Sequence, residues 1–159
     1  DIRQVGSGST GATNVKRVLG KKWFFIVMLL DALKGALPVL ISKYFLSAGM
    51  LLDPYGIYAV ACAVFVIVGH SKPVFLGFKG GKSVASGVGT ILALSPLAGL
   101  IIALIWGAVT YISRYVSLGS IVALVLSPFI MYFLNAPAAY VAYCALAAVY
   151  IVYLDRLNI

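Results

Sequence analysis

Residues 84–112 carry no charged side chain, and this is the stretch that most constrains the fold. As one helix they would run about 43 Å at 1.5 Å per residue, too long for a hydrocarbon core of about 30 Å without a strong tilt. Ser95-Pro96 falls near the middle, and the residue before a proline disfavours helix. The sequence therefore predicts two shorter helices, roughly 84–94 and 96–112, that enter a membrane and return to the same side. Around them lie further apolar runs: Trp23 to about Phe45, Tyr55 to Gly69, Leu118 to about Leu134, and Ala138 to Leu154. Only 10% of residues are charged, whereas a soluble domain carries about a quarter. The predicted class is all-α, a polytopic integral membrane bundle with about six apolar segments and no β-sheet, and residues 1–159 are read as a single membrane-embedded domain.

Charge tests the re-entrant reading. Twelve Lys/Arg stand against four Asp/Glu, a net charge of +8. If 84–112 returns to its own side, loops 1–22, 70–83 and 113–117 and the C-terminal end share one face. That face then holds Arg3, Lys16, Arg17, Lys21, Lys22, Lys72, Lys79, Lys82, Arg114 and Arg156, and the opposite loops, 46–54 and 135–137, hold no Lys or Arg. This is the positive-inside pattern, so the basic excess reads as a cytoplasmic membrane face and not as a nucleic-acid surface. Within the first run, Asp31 and Lys34 stand at i, i+3 and can pair. Intramembrane charges of this kind are functional candidates, and a packing ion pair is the alternative. Pro38 is expected to kink that helix. Cys62 and Cys144 lie deep in apolar runs without C-x-x-C spacing and read as inert; no disulfide or metal site is implied.

Three polar clusters carry the chemistry. The first is G-S-G-S-T-G-A-T-N-V-K-R, Gly6 to Arg17. Gly6, Gly8 and Gly11 allow positive φ and close approach of successive amides, with Ser7, Ser9, Thr13 and Asn14 beside them. Thr13 or Asn14 can cap a following helix, and Lys16 and Arg17 add charge. The arrangement suits an anion, most naturally a phosphate. It lacks the spacing of a Walker loop, and a flexible linker is the alternative. The second cluster, Gly69 to Ser83, places His70, Lys72, Lys79 and Lys82 around Gly77, Gly80 and Gly81, with Phe75 and Phe78 to hold the loop to membrane or protein. Here His70 is an anion ligand or, alternatively, a structural hydrogen bonder. In the third, S-R-Y-V-S-L-G-S, Ser113 and Ser117 are four apart and could share a helical face; helix packing is the alternative for such hydroxyls, Ser120 included.

Two cationic glycine loops at one membrane surface suit an enzyme that handles two phosphorylated molecules. One His and four scattered Asp give neither a metal cluster nor a Ser/His/Asp set, so no metal or cofactor is expected. An organic-phosphate transporter is the rival reading, although it would need polar groups on both faces. A scaffold whose basic face binds anionic lipid is another.

The same blocks, together with G-H-S-K-P-V-F-L-G-F-K-G-G-K-S-V-A and the D-A-L-K-G stretch from Asp31 to Gly35, resemble the bacterial PlsY family of acyl-phosphate:glycerol-3-phosphate acyltransferases over nearly the whole chain. The resemblance implies seven helices with active-site loops on the cytoplasmic side of the inner membrane. With six apolar segments counted here, a further helix before Asp1 and a tail beyond Ile159 are expected outside this sequence. It also implies transfer of a fatty acyl group from acyl phosphate to the 1-hydroxyl of sn-glycerol 3-phosphate, giving lysophosphatidic acid and phosphate in bacterial phospholipid synthesis. Partners would be the two substrates and membrane lipid, with no obligate protein partner. The H-x-x-x-x-D motif of other glycerol-phosphate acyltransferases is absent, since Phe75 stands five residues after His70. By resemblance Ser7, Arg17, Lys79 and Asn158 are the residues needed for activity. Gly6, Gly8, Gly11, Thr13, Asn14, His70, Gly80, Gly81, Lys82, Ser113 and Ser117 would bind substrate. The family's last block, roughly H-x-x-N-I, is matched by Asn158-Ile159, but Asp155 stands where His is expected and Leu157 where Glu is common.

Overall fold

The computed structural model describes residues 1–50 and 52–155. After a short 3-10 turn (Ile2–Gln4) come α1 (Ala12–Leu19), α2 (Lys21–Ser47), α3 (Ile57–Ser71), a second 3-10 turn (Val74–Leu76), α4 (Val84–Leu94), α5 (Pro96–Ser113), α6 (Val116–Phe133) and α7 (Ala138–Asp155). The described residues contain no strand. The six apolar segments are all present as helices, and α1 adds a short polar one. It is separate from α2 because Gly20, at φ +91°, ends one helix and starts the next. Pro38 does not interrupt α2. By length and composition, α2, the segment Ile57–Leu76, α5 and α6 can each cross a bilayer, while α4 and α7 are shorter apolar helices.

The break at Ser95-Pro96 is real. Ser95 is extended (φ −143°), its hydroxyl accepts from the Ala98 amide at 3.4 Å, and Pro96 opens α5, where a missing N–H is harmless. At eleven residues α4 reaches only about 16 Å, so its C-terminal carbonyls end among apolar side chains. Lys43 of α2 meets them: Nζ donates to the carbonyls of Ala93 (3.0 Å) and Leu94 (3.2 Å). Orphan carbonyls at a helix end need such partners, and in lipid no water supplies them.

The α4 helix lies against α2, with α5, α3 and α7 around it. The α2–α4 contact is backbone on backbone. A Cβ at Gly35 would overlap the Ser86 carbonyl, and one at Gly89 the Ala32 carbonyl, which is the small-residue packing typical of membrane helices. The core is centred on Val39, Ile67, Ile91, Ile102, Met131 and Ile151, with the small hydroxyls of Ser86, Thr90 and Ser127 buried beside them. Hydroxyls tie α7 to it: Thr90 to Tyr143 at 2.5 Å and Ser71 to Tyr150 at 2.8 Å. Outward, Leu29, Leu37, Phe65, Leu104, Ile112, Phe133 and Leu146 are exposed. Such a surface belongs in a bilayer, and the chain is a multi-pass membrane protein.

Candidate active site

The Gly6–Arg17 loop is built around one side chain. Asn14, 1% exposed, accepts the Ser7 amide on Oδ1 at 2.8 Å. Its Nδ2 donates among the carbonyls of Ile2 (3.1 Å), Val5 (3.0 Å) and Ser9 (2.9 Å). Gly6 and Gly8 take the expected positive φ (62° and 69°), and a Cβ at Gly6 would strike Asn14 Oδ1. The helix cap differs from expectation. Gly11 is the N-cap of α1, and Thr13 and Asn14 lie inside the first turn. The Asn14 carboxamide commits both Nδ2 hydrogens and one bond at Oδ1 to the loop, so it organises the site. The Ser7 hydroxyl and the first amides of α1 remain at the edge of a cavity that Ser7, Ala12 and Thr13 help line.

That cavity, about 680 Å³, is where the polar clusters meet. One end carries Lys16 and Arg17 of α1, Lys82, and Arg114 with Ser117 from the α5–α6 junction. Lys16 Nζ sits 5.5 Å from the centre of the Phe24 ring, and the Arg114 guanidinium 5.3 Å from that of Tyr111, so each cation is steadied by an aromatic face. From Phe24, on which Lys16 packs, the cavity continues as a slot between helices lined by Met28, Ala32, Val88, Ala103 and Trp106. Asp31 and His70 also border the cavity. Asp31 pairs with Lys34 at 2.6 Å and lies 3.6 Å from His70 Nδ1. The ion pair read from i, i+3 spacing is therefore present and reaches the site as well. Among the described residues, no group of three His, Cys, Asp or Glu is placed to hold a metal ion.

A family model described as glycerol-3-phosphate acyltransferase matches residues 1–159. The chain belongs to the glycerol-3-phosphate acyltransferase family. A glycerol-3-phosphate acyltransferase of Desulforamulus reducens is 44% identical over 159 residues, which is 100% of this chain and 76% of that protein. One from Rubrobacter xylanophilus is 43% identical over 158 residues, 99% of this chain and 76% of that one. The crystal structure of PlsY (YgiH), an integral membrane glycerol 3-phosphate acyltransferase, in its glycerol 3-phosphate form matches with a TM-score of 0.89 at 39% identity, covering 99% of this chain and 76% of that one. Its lysophosphatidic acid form matches with a TM-score of 0.86 at 38% identity, covering 96% and 75%. Membership makes the chain a membrane acyltransferase of phospholipid synthesis. The transporter reading finds no support in these relatives, whose names are all those of acyltransferases.

Of the expected site residues, the structure brings Ser7, Gly11, Thr13, Asn14, Arg17, His70, Lys82 and Ser117 together around the cavity. It does not bring Lys79, which is exposed and outside the cavity. Gly80 and Gly81 do not line the cavity either, and their amides are engaged, donating to the carbonyls of Ser71 (3.3 Å) and His70 (3.2 Å). The expected second amide cradle is therefore replaced by a single side chain, Lys82. Ser113 and Ser117 do not share a helical face, because Arg114 takes a left-handed conformation (φ 65°) and breaks the helix between them. Ser113 instead closes that turn, donating to the Val109 carbonyl (2.6 Å) and accepting from the Tyr115 amide (3.1 Å). Ser120 borders the cavity with its hydroxyl donating to the Val116 carbonyl and accepting from Trp106 Nε1. Asn158 lies outside the described residues. Sequence reasoning gave no role to Arg114, Trp106 or Phe24. Arg114 was visible only as one charge in a serine-rich block.

Proposed function

We propose that the protein transfers a fatty acyl group from an acyl phosphate to the 1-hydroxyl of sn-glycerol 3-phosphate, releasing inorganic phosphate and lysophosphatidic acid. The observation that carries this is the two-ended cavity. Its cationic mouth of Lys16, Arg17, Lys82 and Arg114 joins an apolar slot from Phe24 to Trp106. One end suits phosphate groups, and the other suits a hydrocarbon chain that continues from one of them. The solved PlsY relative is named for a glycerol 3-phosphate form and a lysophosphatidic acid form, which supports the acceptor and the product. The acyl-phosphate donor rests on the family resemblance and on the cationic mouth, which has charge for two phosphates. Residues 1–159 are taken as one membrane-embedded domain. The concentration of Lys and Arg on the loops around the cavity supports a cytoplasmic mouth in the bacterial inner membrane.

In this reading the acceptor oxygen attacks the acyl carbon directly. A carbon–oxygen ester bond forms, the acyl–phosphate bond breaks, and phosphate leaves with the electron pair. The hydroxyl proton passes to a phosphate oxygen of a substrate. Lys82 holds the phosphate of glycerol 3-phosphate, while Arg17 and Arg114 hold the acyl phosphate and stabilise the leaving group. The Ser7 hydroxyl and the α1 amides donate toward the developing oxyanion. Holding hydroxyl and acyl carbon in register supplies the remaining advantage. Asn158 is expected to contribute from the C-terminal block, whereas Lys79 is assigned only to the general positive field of the loop.

The test uses the full-length enzyme in a bilayer mimic with glycerol 3-phosphate and palmitoyl phosphate. Phosphate release is followed beside Ser7→Ala and Lys82→Ala, with palmitoyl-CoA as the control donor. Release that needs both substrates and falls with both substitutions is expected. Activity with palmitoyl-CoA but not with palmitoyl phosphate would refute the donor assignment. A stable acyl-enzyme formed from the donor alone would refute direct transfer.

A further inference from the structure

The geometry points to His70 as a positioning residue that sets Lys82 in the cavity by way of Gly80 and Gly81. This rests on the acyl-transfer reading above for what Lys82 binds, but not for the geometry. Residues 80–83 lie along the last turn of α3. The Gly80 amide donates to the Ser71 carbonyl, the Gly81 amide to the His70 carbonyl, and the Ser83 hydroxyl to the Ile67 carbonyl at 2.8 Å. The Ser71 and His70 carbonyls are among those that α3 itself leaves unpaired, while the Ile67 carbonyl lies one turn further back. Lys82 is thus held between two anchors, and it is the member of the segment that brings charge to the cavity.

The glycines are needed for room. A Cβ at Gly80 would overlap the His70 carbonyl and the Pro73 ring, and one at Gly81 would overlap Nε2 of the His70 imidazole. Neither residue has a positive φ, so no left-handed conformation demands glycine there. The imidazole cannot easily yield, because its side chain is only 5% exposed and its Nδ1 edge faces Asp31, which Lys34 holds in place. Asp31, His70, Gly81 and Lys82 therefore form one packed series, in which the ring sets how closely the loop approaches α3.

A double-mutant cycle on the full-length enzyme tests this, with Gly81→Ala, His70→Ala and the pair. Gly81→Ala is expected to raise KM for glycerol 3-phosphate tenfold or more while kcat stays within about threefold, because it displaces a binding cation and not the reacting atoms. In the His70→Ala background the space for the methyl exists, so the same substitution is expected to change KM less than threefold. Equal effects in both backgrounds would overturn the proposal and make Gly81 a direct contributor. The rate of reductive methylation of Lys82, read by mass spectrometry, should change in Gly81→Ala and return in the double variant. That readout needs no acyl transfer, so it separates failure of this inference from failure of the proposed activity. Should Gly81→Ala alone not fold, recovery of folded protein in the double variant supports the proposal, and no recovery overturns it. His70→Asn, smaller but still polar, is expected to tolerate Gly81→Ala as His70→Ala does.

Discussion

Replacing Asn14 by alanine tests the organisation of the first loop most directly. The carboxamide joins four backbone groups, the Ser7 amide and the carbonyls of Ile2, Val5 and Ser9, at 2.8–3.1 Å. Two N–H bonds are shared among three carbonyls, so the interaction amounts to about three full hydrogen bonds. At about 1 kcal/mol net for each, the loop loses about 2–4 kcal/mol of local stability, with rehydration of the exposed carbonyls favouring the lower end. Of the residues involved, Ser7 and Ser9 border the cavity, so the loss is expected in transition-state binding. By the relation of 1.4 kcal/mol to tenfold, kcat/KM should fall by about 30-fold to several hundredfold. The helical bundle should be little affected, because α1 packs mainly on the start of α2 and makes no part of the central core. Detergent-phase melting should therefore stay within about 2 °C of wild type, while hydrogen exchange at Ser7 and Gly8 accelerates. Asn14→Asp should be worse than alanine despite its matching shape, since it would turn a carboxylate oxygen toward three carbonyls. If Asn14→Asp retains wild-type kcat/KM, the donor role of Nδ2 is wrong, and if Asn14→Ala lowers activity and melting temperature together, the effect is not local.

Three further outcomes follow from the packing and topology. Lys43→Met should leave the Ala93 and Leu94 carbonyls without a partner at about 1–3 kcal/mol each, partly offset by no longer burying an amine, and so lower the melting temperature by several degrees, with Lys43→Arg milder. Tyr143→Phe removes the 2.5 Å contact with Thr90 but leaves that hydroxyl donating to the Gly87 carbonyl, so a loss of about 1 kcal/mol is expected, measured as a fall of about 2–4 °C. Single cysteines at Lys79 and Arg114, in a background lacking Cys62 and Cys144, should react with an impermeant maleimide from one side of sealed vesicles. Cysteines at Gly49 and Asn135 should react from the other side, and labelling of position 114 from the same side as position 49 would refute the re-entrant α4–α5 hairpin.

The architecture was legible because it follows from one-dimensional quantities. The length of 84–112 and the proline at 96 point to two helices with no knowledge of contacts, and α4 and α5 are those two. The site was legible only as composition. Glycine beside lysine reads the same whether the glycine offers its amide to a ligand or makes room for a neighbour, and the two loops divide on this point. Gly6 and Gly8 have the positive φ that the reading assumed, whereas Gly80 and Gly81 have their amides bonded to α3 and their missing Cβ atoms over His70. Asn14 is only half legible for a related reason, since a polar residue in an anion-binding pattern reads as a ligand and its four bonds within the loop appear only in the structure. Nothing in the sequence signals that Lys43 finds the end of α4, because the pair is fifty residues apart.

That long-range contact has a consequence for the site. A helix of eleven residues leaves one end at the surface and the other within the apolar layer, and the buried end is held by Lys43. With α4 fixed at depth, its surface end carries Lys82, Ser83 and Val84 into the same plane as α1 and the α5–α6 junction. The helix also presents small side chains, Ala85 and Val88, to the space between α2 and the α5–α6 pair, and α2 packs on α1, α3 and α4. The slot is thus what remains when a half-length helix of small residues separates longer ones. An acyl chain needs such a slot to begin at the charged surface and run into the hydrocarbon, and a full-length α4 with larger side chains would close it.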